Sequence, residues 1–293
     1  MKPLVTGTDV KRYAHPDVTK YLLFPYNTTS SGAELYSSNE MERLYPHAWK
    51  YLQANELFLR QREKGKFDDD AWYRFGRNQN LDKQQLSKIG VAQTVSRLQM
   101  FLDERGEFYF NNVRVNAIAM SEHFEAKCLL ALLNSKAVDF YFRLIAKPKD
   151  NGFYEANKQF IAPLPLPLLT VNDQQPFITH AETMLTTTRT LADLRKRVLT
   201  LLLSKTGITK ASTKLQEWDA LTWSELEAEF RKAKVKLSLN DQEELLTYFE
   251  QKKAEAAALK ATLQATDRAI DGLVYALYGL TAEEIRVVEG GRQ

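Results

Sequence analysis

Apolar side chains recur at every seventh position along two stretches of the second half of the chain. Phe177, Met184, Leu191 and Val198 form the first row, with Leu194 and Leu201 beside it. Phe249, Ala256, Leu263, Ile270 and Leu277 repeat the register later on, flanked by Leu259, Leu273 and Val274. A seven-residue repeat lays a narrow apolar seam along one helix face, as coiled coils require. The pattern predicts helices over residues 173–203 and 249–277, the second about 42 Å long, paired antiparallel within one chain. Lys252 and Thr266 interrupt the second row. Between the two helices, Thr222 with Glu225 and Ser238 with Asp241 have capping-box spacing and mark helix starts in a short insert. Gly279 is placed to end the second long helix, and Thr281 with Glu284 to start a last short one.

The first half follows a different pattern. A turn at Gly7 is followed by an extended run over 21–24 and a polar loop over 27–39, rich in Ser, Thr and Gly. Tyr45, Ala48, Trp49, Leu52 and Leu59 share one face of a helix expected over 45–63, with Pro46 tolerated in its first turn. Lys64-Gly65 stops it. Asp68, Asp69 and Asp70 form a solvated loop, since adjacent carboxylates rarely converge on a metal. Strands are expected over 87–92, 97–102, 107–110 and 113–120, with residues 103–106 as a hairpin turn in which Gly106 supplies the positive φ. Helices follow over 121–133 and 136–146, then a basic turn over 147–152. Proline at 163, 165 and 167 forbids helix and central strand, so this strip is an extended exit from the first domain.

Composition adds bounds rather than identity. With 44% apolar and 26% charged residues the chain is an ordinary globular protein, and no apolar run is long enough to span a membrane. The start lacks the apolar core of a signal peptide. The single cysteine, Cys128, excludes an internal disulfide or a cysteine metal cluster and fits a reducing cytoplasm. His15, His47, His123 and His180 show no ligand spacing. Residues 1–166 carry 23 Lys and Arg against 19 Asp and Glu, whereas 167–293 carry 17 against 18. Ten of the thirteen tyrosines also lie in the first part. A mildly basic, aromatic-rich front half beside a neutral helical back half assigns ligand contact to the front.

The densest candidate chemistry lies at residues 72–80. Arg74, Arg77, Asn78, Gln79 and Asn80 fall within seven positions, rooted on Trp72, Tyr73 and Phe75. Arg matches guanine O6 and N7 in a bidentate way, and Asn and Gln match adenine N6 and N7. Gly76 allows a sharp turn or a close approach. Duplex DNA is the first candidate ligand, an ordinary polar loop with an aromatic root the alternative. Classical nucleotide and hydrolase motifs are missing: there is no G-x-x-x-x-G-K-[ST], G-x-G-x-x-G or G-x-S-x-G stretch. Glu125-Ala-Lys127 and Glu250-Gln-Lys252 have a metal-nuclease spacing, with Asp103 the upstream carboxylate for the first, but such triplets arise by chance in lysine-rich helices.

The order KPLVTGTDVKRY, YLLFPY, YPHAWKYLQANELFLRQRE, AWYRFGRNQNLD, KIGVAQ, RLQMFLDERGEFYFNN, ALLNSKAVDFYFR and NGFYEANKQFIAPLPLP resembles the TaqI-like C-terminal specificity domain. The tail DRAIDGLVYALYGLTAEEI is similar to the ending of the same enzymes. The resemblance implies the target-recognition part of adenine-N6 DNA methyltransferases and fused restriction–modification enzymes, which act in defence against foreign DNA. Those enzymes carry a methyltransferase domain with an S-adenosylmethionine site and an N-P-P-Y motif, and neither occurs here. The expectation is therefore a specificity portion alone, a piece of a larger enzyme or a separate subunit, with no cofactor and no catalytic centre of its own. Its partners are double-stranded DNA and a methyltransferase module, with or without a nuclease module.

The expected architecture is α+β, with a mixed β-sheet target-recognition domain over 1–167 and a helical spacer with an antiparallel long-helix pair over 168–293. Lys11, Arg12, Lys147 and Lys149 are expected on phosphates. Arg74, Arg77, Asn78, Gln79 and Asn80 are expected at bases, with Trp72 and Tyr73 as anchors and Arg97, Tyr154 and Lys158 joining the surface. The competing reading is a docking module whose long helices hold a partner subunit while the front is merely structural.

Overall fold

The computed structural model describes residues 1–29, 32–111, 113–120 and 122–290. Its strands are short: β1 (Lys2–Val5), β2 (Tyr21–Leu22), β3 (Tyr26–Thr29), β4 (Gly32–Leu35), β5 (Lys88–Ala92), β6 (Thr94–Val95), β7 (Met100–Asp103), β8 (Tyr109–Phe110), β9 (Val115–Ala119), β10 (Pro148–Lys149) and β11 (Phe153–Glu155). They form small sheets in the orders β2-β1-β8, β7-β5-β9, β10-β11-β6 and β3-β4. Pairing is mixed, since β1 runs antiparallel to β2 and parallel to β8.

The centre is β5, buried along its whole length between antiparallel β7 and β9. Gly90 sits where the Phe101 ring crosses the strand, and a Cβ there would lie 2.2 Å from that ring. The turn after β7 is where the sequence puts it, with Gly106 at φ 65. The strands it joins do not form the expected hairpin, however: β7 pairs with β5 and β8 with β1. Asp103 explains the divergence. Its carboxylate accepts the Glu107 and Phe108 N–H groups at 2.8 and 3.1 Å and the buried Lys88 ammonium at 2.5 Å, so the chain turns out of the sheet.

The expected loop over 27–39 is largely the β3-β4 hairpin followed by helix α1 (Ser38–Leu44), capped by Ser37 and Glu40. Residues 30 and 31 of that loop lie outside the described residues. The single helix expected over 45–63 is broken into α2 (Pro46–Ala54), α3 (Glu56–Arg60) and α4 (Arg62–Gly65). Asn55 leaves the helical region at the first break, and Glu63 and Lys64 are left-handed at the second. Helix α5 (Ala126–Leu133) buries everything from Cys128 to Leu133 against β5 and β7, and α6 (Lys136–Ile145) follows a Ser135 cap. Ser121, the expected start of the first of these, lies outside the described residues. After the single turn of α7 (Lys158–Ile161), the proline strip is neither helix nor strand.

Helix α8 (Val171–Thr206) and helix α11 (Leu239–Leu277) form the long pair. They are antiparallel: Lys205 at the end of α8 meets Asp241 at the start of α11 at 2.8 Å, while Phe177 and Met184 share a core with Ile270 and Val274. Phe177, Met184, Leu191, Val198, Phe249, Ala256 and Ile270 are all buried, as the seven-residue spacing requires. Leu201 is not; it is 49% exposed while Leu202 is buried. An α-helix drifts about 20° per heptad, so Leu194, Val198 and Leu202 keep the inner face instead. The Ser238 box belongs to α11 itself, which starts ten residues before the apolar repeat does.

In the insert, α9 (Thr213–Gln216) and α10 (Trp223–Lys232) flank Trp218, which is fully buried and donates its indole N–H to the Arg195 carbonyl at 3.1 Å. Asp219 clamps both long helices, accepting from Arg195 at 2.8 and 2.9 Å and from Lys260 at 2.7 Å. Burial alone would raise the pKa of its carboxyl, and these two cations more than offset that, holding it below the usual range. Helix α11 ends in a Schellman turn at left-handed Gly279, where Leu280 N–H reaches the Tyr275 carbonyl and Gly279 N–H that of Ala276. Helix α12 (Ala282–Val288) then starts on the Thr281–Glu284 box. No helix among the described residues is long and apolar enough to cross a membrane.

Candidate nucleic-acid interface

The 72–80 segment divides into a root and a tip. Trp72 and Tyr73 are buried in the aromatic cluster with Met41, Trp49 and Leu52, their rings 5.6 and 5.1 Å from Trp49. The Tyr73 hydroxyl donates to the Tyr36 carbonyl at 2.5 Å, and the Phe75 N–H donates to the Tyr26 hydroxyl at 2.7 Å. The expected anchors are therefore core groups that set the loop's position rather than surface groups.

Arg74 belongs to the root as well, contrary to its expected place among the base-reading forks. It pairs with Asp69, donates to the Ala71 and Lys66 carbonyls at 3.0 and 3.3 Å, and lies over the Phe67 ring. Asp69 also accepts the Ala71 N–H at 2.9 Å, and the Arg74 guanidinium holds its carboxyl below the usual carboxylate range. The Asp68–Asp70 stretch is an exposed loop, as expected, and its Asp69 also supplies the counter-charge that holds Arg74. Arg62 ties the same root by donating to the Trp72 and Arg74 carbonyls at 2.7 and 3.0 Å. Gly76 does not need a positive φ; a Cβ there would press against Glu63 and Phe67 at 3.2 and 3.4 Å.

Arg77, Asn78, Gln79 and Asn80 form the tip, and all four are exposed. None of their side chains has a hydrogen bond or ion pair to another described residue, and Asp82 pairs with neither Arg74 nor Arg77. The tip closes at left-handed Asn80, whose carbonyl accepts the Lys83 N–H at 3.2 Å. Leu81 and Gln84 are then buried, Gln84 accepting the Phe110 N–H at 2.9 Å. Four polar side chains are held out between two fixed ends.

A second group assembles on the β10-β11-β6 sheet. Lys149 is exposed on β10 and Lys147 just before it, Arg97 is exposed two residues after β6, and Lys158 is exposed at the start of α7, three residues after β11. Tyr154 is half-buried, opposite Pro148 on one side and Val95 on the other, with its ring 6.2 Å from Phe142. Beneath lies a polar network that sequence reasoning missed: Asn116 donates to Gln93 at 2.7 Å, and Gln93 and Asn157 donate to Glu155 at 3.2 and 2.9 Å. Amides scattered over 93–157 give no local signal. The turn itself was legible, since Asp150-Asn-Gly152 between extended flanks is a hairpin signature.

Lys11 is exposed, but its neighbour Arg12 is withdrawn from the phosphate-contacting set. Its guanidinium pairs in a bidentate way with Asp267 of α11 and donates to the Asn134 carbonyl at 2.7 Å. Asp103, the upstream carboxylate for a nuclease, is used by Lys88, and Lys127 is paired with Glu182 at 2.8 Å. Burial pushes the Cys128 thiol up to about 12, so it is an inert core group at neutral pH. Among the described residues no three His, Cys, Asp or Glu side chains are gathered to hold a metal.

Comparison with known proteins gives three matches. Residues 2–166 match the TaqI-like C-terminal specificity domain, and residues 170–274 match a domain of unknown function, DUF8810. The Type II restriction enzyme and methyltransferase RM.Eco57I of Escherichia coli is 20% identical over 176 residues, 55% of this chain. The aligned region spans 17% of that relative's length.

Proposed function

The chain belongs to the TaqI-like C-terminal specificity domain family, and from that premise we propose that it reads a specific sequence in duplex DNA and so places a methyltransferase module on its site. The exposed fork-bearing tip at 77–80, fixed at both ends by buried residues, is the observation that carries this reading. Arg77, Asn78, Gln79 and Asn80 are the base-reading side chains, and Trp72, Tyr73 and Arg74 position them. Lys11, Arg97, Lys147, Lys149 and Lys158 hold phosphates, and Tyr154, packed beside Phe142, supports the strand that pairs with Pro148 and Lys149. The methyltransferase module, in the same parent chain or a separate subunit, supplies adenine-N6 methylation, and the name of the relative favours a nuclease module as well. S-adenosylmethionine is assigned to that module, because this sequence has no glycine-rich strand-to-helix turn to seat it.

Base and phosphate contacts respond differently to mutation. Arg77→Ala should cost about 1–3 kcal/mol on the preferred site and relax the preference at one base pair. Lys147→Ala should weaken all sequences alike and lower the salt slope by about one. Binding-site selection from randomised duplexes, run on wild type and both variants, separates the two. An Arg77→Ala chain that folds normally and selects the same site with the same stringency removes the tip from the reading role.

A further inference from the structure

The strands β10 and β11 form a two-stranded ribbon with Lys149 opposite Phe153 and Pro148 opposite Tyr154. Facing residues in a pair lie on the same side of a sheet, and neighbours along a strand alternate. Tyr154 packs beside Phe142, so Lys149 and Phe153 take the opposite, outer side. Every residue from Lys147 to Phe153 is exposed, Phe153 with 40% of its surface open. The tip turns through left-handed Asn151 (φ 59) and Gly152 (φ 73). Neither the Asp150 nor the Asn151 side chain bonds to another described residue.

The base of the ribbon is stiff by comparison. Tyr154 and Glu155 pair with Val95 and Thr94 of β6, and Glu155 N–H donates to the Lys147 carbonyl at 3.0 Å. The Glu155 carboxylate gathers Gln93 and Asn157, and Asn116 donates to the Ala156 carbonyl at 2.8 Å. An exposed turn with a fixed base, two lysines on the approach to it and unpaired polar side chains at its end has the charge to enter a groove lined by phosphates.

We propose that this ribbon enters the DNA major groove and that Asn151, with Asp150, is a second base reader there, while Lys147 and Lys149 bond the flanking phosphates. The proposal rests on the DNA-reading function above and adds a specificity-determining position outside the 77–80 tip. The major groove, about 12 Å wide, admits a two-stranded ribbon. An asparagine amide there matches adenine by accepting from N6 and donating to N7, and a carboxylate accepts from cytosine N4. Phe153, on the outer side, is placed for apolar contact with a thymine methyl.

Asn151 also suits a left-handed turn for purely conformational reasons, so the test must separate the amide from the turn. Asn151→Gly keeps the turn and deletes the amide; Asn151→Asp keeps much of the turn tolerance and deletes the donor. Site selection with wild type, both variants and Arg77→Ala is followed by titration of the selected duplex carrying 7-deazaadenine at the position that Asn151→Gly relaxes. The expected result is unchanged folding, with discrimination at one adenine reduced about 5- to 150-fold in Asn151→Gly. That position should differ from the one relaxed by Arg77→Ala, and Asn151→Asp should no longer prefer adenine there. The deaza substitution should weaken wild type but not Asn151→Gly. If wild type selects a site and Asn151→Gly selects it with equal stringency, the ribbon tip is only a turn and this proposal fails alone. If wild type selects no site, the DNA-reading function itself fails and takes the ribbon with it.

Discussion

Arg74 and Arg77 are three positions apart and have opposite fates, because Asp69 lies within reach of the first and no described carboxylate pairs with the second. The sequence showed the cluster of forks but not which were taken, since the counter-charge sits five residues upstream in what reads as a solvated loop. Arg12 is harder still, because its partner Asp267 is 255 residues away. Beside it, Asp271 accepts the Lys136 N–H at 2.9 Å, and burial raises the pKa of its carboxyl despite the nearby Lys136 ammonium. A carboxyl with a raised folded pKa contributes stability that is present below the unfolded value of 3.8 and lost as pH rises through the folded value. Asp271→Asn keeps an oxygen for the Lys136 N–H and removes that titration. Thermal melts taken upward from pH 3.8 should show a smaller decline in the variant than in wild type. Equal pH dependence in the two would mean that Asp271 titrates alike folded and unfolded.

At the scale of elements, legibility follows locality. The seven-residue seam is a local pattern, and it gave both long helices and most of their buried faces. The β7 and β8 strands were legible as strands but not as members of different sheets, since that choice depends on Asp103 and Lys88 rather than on the turn. The break in the helix over 45–63 was hidden as well: the apolar face runs on past Asn55 to Leu59, and the left-handed Glu63 and Lys64 are ordinary helix formers by type. The drift of the seam toward Leu202 makes a direct test. Leu191→Asp puts an unpaired charge at a 7%-exposed position and should cost several kcal/mol, on the order of 3–5. Leu201→Asp, at a 49%-exposed position of the same repeat, should stay within about 0.5 kcal/mol. Chemical denaturation of both variants checks the pair, and equal losses would mean that Leu191 does not lie on a buried inner face.

Across the whole molecule, the helical pair is fastened to the front half at one end. Phe177, Met184, Ile270 and Val274 join the core around β5 and α5, and Arg12 and Lys136 reach Asp267 and Asp271 of α11. The Tyr278 hydroxyl bonds to the Pro165 carbonyl, so the proline strip is tied to the same end. Toward the far end, where Lys205 meets Asp241, the pair packs with the insert in a separate apolar cluster around Trp218. Under the proposed function, the front would contact DNA and the pair would set the distance or docking of another module. A molecule whose helices dock a partner and whose front is only structural would have no DNA preference at all. Selection of wild-type chain against randomised duplexes, with affinity then measured between about 50 and 200 mM salt, distinguishes the two most directly. A front half that reads DNA should enrich one sequence, bound with an affinity that falls steeply as salt rises. Recovery of an unenriched pool, with no salt-dependent binding to lose, would contradict it.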